Sequence, residues 1–161
     1  MTKERSVAGQ FSIMEGTGGR EDDIASITRA AFAGRYGSGD GEVALIAALR
    51  ADGDVAVELT ALDAGDVVGH AMFSRLAVAP DTLRIAALAP VCARIGRQRS
   101  GIGSALIRKG LAVCRAQGFD AVLVLGDDYY GRFGFSAEAA RAVASEFSGP
   151  HFQALALKEG A

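Results

Sequence analysis

A glycine-rich segment, RQRSGIGSAL at residues 97–106, constrains the fold of this chain more than any other stretch. It follows an apolar run typical of a strand and leads into an apolar run with helical spacing. Glycines at the start of a helix leave backbone N–H groups exposed, and such groups bind anions. The segment therefore predicts a strand–loop–helix unit whose loop holds an anionic ligand. Three arginines cluster there, Arg94, Arg97 and Arg99, which favours a small anion over a long polyanion.

Three kinds of phosphate-binding loop compete for this segment. A P-loop requires Lys and Ser or Thr after its last glycine, and Ile102 and Gly103 stand there instead. A dinucleotide fingerprint requires a third small residue, where the chain has Leu106. The pattern Q/R-x-x-G-x-G/A fits, with Gln98, Gly101 and Gly103 in register. In that pattern a diphosphate is held by the backbone N–H groups of Arg99, Ser100, Gly101, Ile102, Gly103 and Ser104. The alternative is a glycine turn that only starts a helix.

The remaining patterns predict a mixed α/β domain. Strands are predicted at residues 11–14, 55–61, 67–74, 82–95, 121–126 and 151–157. Helices are predicted at residues 21–32, 42–50 and 102–117, with a short aromatic helix at 127–134. The second and third strands form a hairpin, and Pro90 predicts that the fourth is bulged or unpaired on one side there, because proline donates no hydrogen bond. The stretch at 121–126 is apolar on both faces, as in a buried parallel strand. Residues 137–147 stay ambiguous.

Length and charge set the broad class. The chain has 161 residues, a length sufficient for one domain with a hydrophobic core. Its formal net charge of −2 gives no sign of the basic surface that binds nucleic acid. We expect a flexible N-terminus at residues 1–10 and a single domain at 11–161. Because residues 1–10 lack the apolar stretch of a signal peptide and no apolar run is long enough for a bilayer, we expect a cytoplasmic protein without a membrane partner. Cys92 and Cys114 fit no zinc spacing, so we expect reduced core cysteines and no metal.

The loop, the strand before it and the motif YYGRFGF at residues 129–135 together resemble the GNAT superfamily of N-acetyltransferases. Stretches such as VVGHAMFS, LAPVCA and VLGDDYYGRFGF resemble one bacterial branch of predicted N-acetyltransferases. The resemblance extends over residues 11–157. It implies a central mixed, mostly antiparallel sheet with a splayed parallel strand pair, flanked by helices, and acetyl-CoA as the ligand of the loop. Ile95 departs from the family, which usually has proline three residues before the glutamine.

The resemblance also implies the site residues. The pantetheine arm lies between two splayed strands in the family, which correspond to residues 83–94 and 121–126. The expected cofactor-binding residues are Val91, Cys92, Ala93, Arg94, Gln98, Arg99, Ser100, Gly101, Ile102, Gly103, Ser104, Tyr130 and Phe133. Tyr130 matches the family tyrosine of Y-x-x-x-G-F, and its phenol, protonated at neutral pH, is the expected general acid. The alternative is that Tyr129, Tyr130, Phe133 and Phe135 form only an aromatic core cluster; we assign Tyr129 to packing.

Acetyl transfer to an amine also requires a proton acceptor, for which Glu58, His70, Asp127 and Asp128 are open candidates. A histidine after glycine in a strand is more often structural, and Asp127 equally fits a helix cap. We therefore predict an acetyl-CoA-dependent N-acetyltransferase acting on a primary amine of a small molecule or protein. Its acceptor site is expected at residues 32–40 and on the hairpin strands. The alternatives are a non-catalytic acyl-CoA sensor and a nucleotide-binding module, the latter disfavoured by the missing P-loop lysine. A homodimer stays an open alternative.

Overall fold

The computed structural model describes residues 11–34, 38–77, 83–126, 128–141 and 152–158. Its strands are β1 (Ser12–Glu15), β2 (Val55–Asp63), β3 (Asp66–Leu76), β4 (Ile85–Ala93), β5 (Ala121–Leu125) and β6 (Phe152–Ala156). Its helices are α1 (Glu21–Phe32), α2 (Asp40–Asp52), α3 (Ile102–Ala116), the short α4 (Ala137–Ala140) and a 3₁₀ helix (Asp128–Phe133). The order of elements agrees with the one that the sequence predicts.

The six strands form one sheet in the order β1-β2-β3-β4-β5-β6. All neighbours are antiparallel except β4 and β5, which are parallel. A parallel pair requires a crossover connection, and α3 supplies it. The mixed, mostly antiparallel sheet with one parallel pair, flanked by helices, confirms the predicted fold class.

Helices cover both faces of the sheet. On one face α3 packs over β2, β3 and β4, and the core there is built from fully buried apolar side chains such as Phe73, Leu106 and Ile107. Burying each such side chain is worth about 1.5–3 kcal/mol relative to exposure, so this face supplies much of the driving force for folding. On the other face α1 contacts β3 and β4 through Ile24 and Ile27.

Local turn chemistry follows the sequence closely. α3 ends at Gly118, whose φ is 85°, with hydrogen bonds from Gly118 N–H to the Arg115 carbonyl (3.1 Å) and from Phe119 N–H to the Cys114 carbonyl (3.0 Å). This pair of bonds is the Schellman ending that a glycine permits. The predicted bulge at Pro90 is also present, because Ala71 pairs with Val91 while Phe73 pairs with Leu88. Met72 therefore faces two residues of β4.

A few boundaries differ from the prediction. α2 extends two residues beyond the predicted helix at each end and runs Asp40–Asp52, and the fourth strand begins only at Ile85. Of the ambiguous residues 137–147, the first four form α4. The predicted flexible N-terminus at residues 1–10, residues 35–37 of the expected acceptor segment and Asp127 lie outside the described residues. In the described ranges, no helix combines the length and the hydrophobicity that crossing a membrane requires.

Candidate active site

The loop between β4 and α3 turns sharply at three positions. Gly96, Arg99 and Gly101 have φ values of 90°, 63° and 87°. Arg99 is one of two described residues other than glycine in this left-handed region, where a side chain is disfavoured. The Arg97 N–H donates to the Arg94 carbonyl (2.8 Å), and the Ser100 hydroxyl donates to the Arg97 carbonyl (2.5 Å). Nests of backbone N–H groups that bind anions contain left-handed residues, and Arg99 and Gly101 supply two such residues here.

A salt bridge fixes this loop to the sheet. Arg97 donates from Nη1 to Asp63 Oδ2 at 2.7 Å, at the end of β2. Arg97 is therefore engaged within the protein. Arg94 lies at the start of the loop, and its backbone N–H donates to the Val68 carbonyl at 2.8 Å. Its exposed side chain lines two adjoining clefts of about 290 and 320 Å³, together with Asp66 and Ile95.

The first turn of α3 offers further N–H groups. Its N-cap is Gly101, no described side chain caps it, and its first turn contains no acidic residue. The first N–H groups of any helix lack carbonyl partners within the helix, and here Ala105 N–H is the donor to the Gly101 carbonyl (3.0 Å). The positive end of the α3 dipole therefore has no negatively charged side chain in the first turn to balance it. The N–H groups at this end belong to Ile102, Gly103 and Ser104. Such an end binds an anion.

Gly103 leaves room above this turn. A methyl group built on it would have the Tyr129 hydroxyl, at 3.7 Å, as its nearest described atom. The glycine is therefore not required by packing within the protein. Gly110, farther along α3, differs, because a methyl group there would overlap the ring of Phe73.

The two parallel strands separate beyond a short paired region. Ile85, Ala86 and Ala87 of β4 pair with residues 121–123 of β5, and residues 88–93 run beyond the last pair. On its other side β4 stays paired with β3 as far as Ala93. The expected binding residues Val91 and Ala93 therefore lie where β4 has lost its neighbour β5, and their side chains pack against the α3 core. A splayed pair of this kind leaves backbone groups between the strands for an extended ligand.

Cys92 faces the opposite side of the sheet. Its thiol lies 3.6 Å from the Thr28 hydroxyl in the α1 layer, and burial raises its pKa to about 11. Burial likewise raises the pKa of Cys114 to about 11. Both thiols are buried and free, as the sequence predicts, and both are protonated at neutral pH. Only the backbone of Cys92 remains available to the expected ligand.

The 3₁₀ helix brings the aromatic motif beside the first turn of α3. Tyr129 contacts Tyr130 and Phe133 edge to face, with ring centroids 5.3 and 5.4 Å apart, and Tyr130 contacts Phe135 at 6.1 Å. A methyl group on Gly126 would overlap the Tyr130 ring, so Gly126 makes room for the tyrosine at the end of β5. Arg108 of α3 lies over the Phe133 ring at 4.9 Å.

One contact in this cluster was missed by the sequence analysis. The hydroxyls of Tyr129 and Ser104 lie 2.8 Å apart and share a hydrogen bond. The prediction that Tyr129 only packs accounts for its ring but not for its hydroxyl. A pair of residues 25 positions apart carries no local sequence signal, whereas the polar tip of a half-buried tyrosine usually finds a partner.

Two of the proton-acceptor candidates form a buried network. His70 Nε2 lies 2.7 Å from Glu58 Oε2, and Arg50 donates to both carboxylate oxygens, from Nε at 3.2 Å and from Nη2 at 2.5 Å. Burial raises the pKa of Glu58, but the hydrogen bonds from His70 and Arg50 outweigh it and hold that pKa at about 2. A carboxylate this acidic is a weak base, so Glu58 is suited to accepting hydrogen bonds from Arg50 and His70 rather than to taking up a proton.

His70 itself is fully buried in β3, opposite Thr60 and Cys92. Its Nδ1 has no hydrogen-bond partner among the described residues. The side chain of Asp128 lies outside the described part, as Asp127 does. In the described ranges, no cluster of three or more His, Cys, Asp or Glu residues is arranged to hold a metal ion.

The expected site residues thus fall in one region. Residues 91–94 lead directly into the loop, residues 98–101 form it, and residues 102–104 begin α3. Tyr130 and Phe133 follow β5, and both pack against the same core cluster as Val91 and Ala93. An uncapped helix start, an open seam between parallel strands and a tyrosine beside them form a site suited to a long, phosphate-bearing ligand.

Comparison with known proteins agrees with this geometry. Residues 22–135 match the family described as "Acetyltransferase (GNAT) family", so the chain belongs to the GNAT acetyltransferases. It is 34% identical over 102 residues to the N-acetyltransferase YhbS of Escherichia coli K12, a match that covers 62% of this chain and 61% of that relative. The chain thus matches less than two thirds of the length of its curated relative.

Two solved structures extend the likeness over nearly the whole fold. The crystal structure of Escherichia coli YhbS in complex with CoA has a TM-score of 0.83 at 26% identity, covering 99% of this chain and 86% of that one. A GNAT acetyltransferase from Brucella melitensis in complex with acetyl-CoA has a TM-score of 0.78 at 32% identity, covering 92% and 89%. The expected family and fold are thereby confirmed.

Proposed function

We propose that this GNAT acetyltransferase transfers the acetyl group of acetyl-CoA to a primary amine of a small molecule or protein by direct attack on the thioester. The observation that carries the proposal is the uncapped first turn of α3, joined to a loop with left-handed backbone at Gly96, Arg99 and Gly101. Two similar proteins, from Escherichia coli and Brucella melitensis, bind CoA and acetyl-CoA.

Different portions of acetyl-CoA contact different parts of the proposed site. Its diphosphate accepts hydrogen bonds from the N–H groups of residues 99–104, assisted by the helix dipole and by the side chain of Gln98. Its pantetheine arm lies in the seam beyond residue 87, where the backbone of Val91 and Ala93 holds the amides and the acetyl carbonyl. Phe133 lines the same region from the 3₁₀ helix.

Chemistry occurs where the seam approaches Tyr130. The unprotonated amine nitrogen attacks the thioester carbonyl, the C–N bond forms, and the C–S bond breaks as the electron pair moves to sulfur. Tyr130 donates its phenolic proton to the departing thiolate. The nitrogen gives up a proton to solvent, and solvent later returns one to the Tyr130 phenolate. Backbone donors fixed in the protein stabilise the oxyanion without reorganisation, which is the largest contribution in acyl transfer. We expect the acceptor beside the hairpin strands β2 and β3 and the segment 32–40, of which residues 35–37 lie outside the described part.

Ligand binding and turnover test the proposal separately. Acetyl-CoA should raise the melting temperature while ATP and NAD at equal concentration do not, since a ligand at a hundred times its Kd stabilises by about 2.7 kcal/mol. Thiol release from acetyl-CoA is then measured against a broad amine panel. A shift with ATP alone would overturn the ligand assignment. Binding of acetyl-CoA with no thiol release from any amine would instead favour the non-catalytic acyl-CoA sensor.

Tyr130→Phe tests the acid once an acceptor is found. The substitution keeps the ring against Phe135 and Gly126 and removes only the proton donor. Turnover should fall by about 10²- to 10⁴-fold while acetyl-CoA affinity changes little. Tyr130→Ala is the matched control, because it also removes the packing and lowers the melting temperature. Equal turnover of the wild type and the Phe variant, with chemistry rate-limiting, would remove Tyr130 as the acid.

A further inference from the structure

We propose that Tyr129 is a positioning residue, whose hydroxyl bond to Ser104 holds the neighbouring Tyr130 in place against the first turn of α3. The inference rests on the proposed function, because it concerns how the general acid is placed. It assigns to Tyr129 more than the packing role that the sequence suggests.

The hydrogen bond joins the two halves of the site. Ser104 belongs to the first turn of α3, whose N–H groups form the diphosphate cradle, and its Oγ lies 2.8 Å from the Tyr129 hydroxyl. Tyr129 immediately precedes Tyr130 in the same 3₁₀ helix. The residue that holds the ligand and the residue next to the acid therefore share one hydrogen bond.

Tyr129 is held on its other sides as well. Arg132 donates from Nε to the Tyr129 carbonyl at 3.0 Å, and its guanidinium lies 4.2 Å from the centre of the Tyr129 ring. The ring also meets Tyr130 and Phe133 edge to face. Because ring, carbonyl and hydroxyl are all engaged, Tyr129 has little freedom to rotate, and the backbone of Tyr130 is fixed with it.

The hydroxyl bond connects the 3₁₀ helix directly to the first turn of α3. The 3₁₀ helix is short and its hydrogen-bond geometry is poorer than that of an α-helix, so it depends on contacts with its neighbours. A displacement of about 1 Å at a reacting group can cost on the order of 10²-fold in rate. Loss of the bond is therefore expected to reduce turnover far more than binding.

A double-mutant cycle on the full chain tests the inference, with acetyl-CoA and the acceptor found by the amine panel. Tyr129→Phe keeps the ring contacts and removes the hydroxyl, and Ser104→Ala removes its partner. Each should lower kcat by about tenfold and leave the KM for acetyl-CoA within about twofold of the wild type. The double variant should be no slower than either single one, because the same bond is already lost.

Ser136→Ala is the control, since it removes another hydroxyl bond, from the Ala139 N–H at 3.1 Å, outside the site. It should lower the melting temperature without the fall in kcat. A Tyr129→Phe variant with the kcat of the wild type would overturn the positioning role, and so would losses that multiply in the double variant. A wild-type chain that binds acetyl-CoA but acetylates no amine would overturn the proposed function itself, which is a distinguishable result.

Discussion

Two polar regions of this protein differ in whether their hydrogen-bonding groups have partners within the protein. In the cluster of Arg50, Glu58 and His70, the carboxylate receives three hydrogen bonds from its two partners. In the first turn of α3, a glycine N-cap leaves the N–H groups of the helix start without a side-chain cap. The Glu58 carboxylate finds its hydrogen bonds within the protein, whereas the N–H groups of the helix start are open to a ligand.

The difference separates stability from function. A buried carboxylate is tolerated only when hydrogen bonds replace its lost water, so the Glu58 cluster contributes to the fold as long as all partners are present. A helix start with glycine at its N-cap forgoes only roughly a few tenths of a kcal/mol that a capping side chain would supply. That cost is expected at a helix start whose N–H groups donate to a bound ligand instead of to a capping side chain. Substitutions in the two regions should therefore have opposite effects on folding and on binding.

The largest loss of stability is expected from Glu58→Gln. The substitution keeps the shape but removes the negative charge that accepts hydrogen bonds from Arg50 and His70, so the free energy of unfolding should fall by about 2 to 4 kcal/mol. Urea unfolding of both proteins at pH 7 measures the difference. The increase in melting temperature caused by acetyl-CoA should persist in the variant. A variant that is as stable as the wild type would show that the cluster is not a stabilising network.

The same cluster predicts how stability depends on pH. The pKa of Glu58 is about 2 in the folded chain against a usual value of 4.5, so the unfolded chain binds the proton more tightly. Its contribution is therefore complete above about pH 4.5 and is lost as pH falls toward about 2. Across that window the melting temperature of the wild type should decrease more steeply than that of Glu58→Gln. Parallel curves for the two proteins would contradict the low pKa.

A smaller loss is expected within α3 itself, from Gly110→Ala. The added methyl group would overlap Phe73, and overpacking of this kind costs about 1–3 kcal/mol. The gain in helix propensity, about 1 kcal/mol, offsets part of that cost. Chemical denaturation of the variant measures the sum, and its acetyl-CoA affinity should match the wild type. If the variant were more stable than the wild type, Phe73 would have to move freely beneath α3.

Features set by neighbouring residues could be predicted from the sequence. The glycine loop, the Schellman ending at Gly118 and the bulge at Pro90 all follow from the backbone properties of single residues. The parallel β4–β5 pair followed from an apolar strand after a helix. These signals are local, so they can be recognised without knowledge of the tertiary packing.

Contacts set by register and packing could not be predicted. Glu58 and His70 meet because β2 and β3 pair with Thr60 opposite His70, a register that the alternating pattern alone leaves open. The contact of Ser104 with Tyr129 depends on how the 3₁₀ helix lies against α3. The close fit of Gly110 on Phe73 depends on the position of α3 over β3. The left-handed Arg99 also has no sequence signal, because arginine disfavours that conformation.

The central claim is that the first turn of α3 holds the diphosphate of acetyl-CoA, and the melting temperatures of the wild type and Gly103→Asp with and without acetyl-CoA test it most directly. The Cβ of an aspartate there would lie 3.7 Å from its nearest described atom, an ordinary contact, and a carboxylate at a helix start is favourable by about 0.3–1 kcal/mol. The variant should therefore melt at or above the wild-type temperature without ligand, yet lose the acetyl-CoA shift through repulsion of the phosphates. Gly103→Asn, equal in size but neutral, should retain more of the shift. If acetyl-CoA raised the melting temperature of a folded Gly103→Asp protein as much as that of the wild type, the claim would be contradicted. The loop would then be only a turn that starts α3.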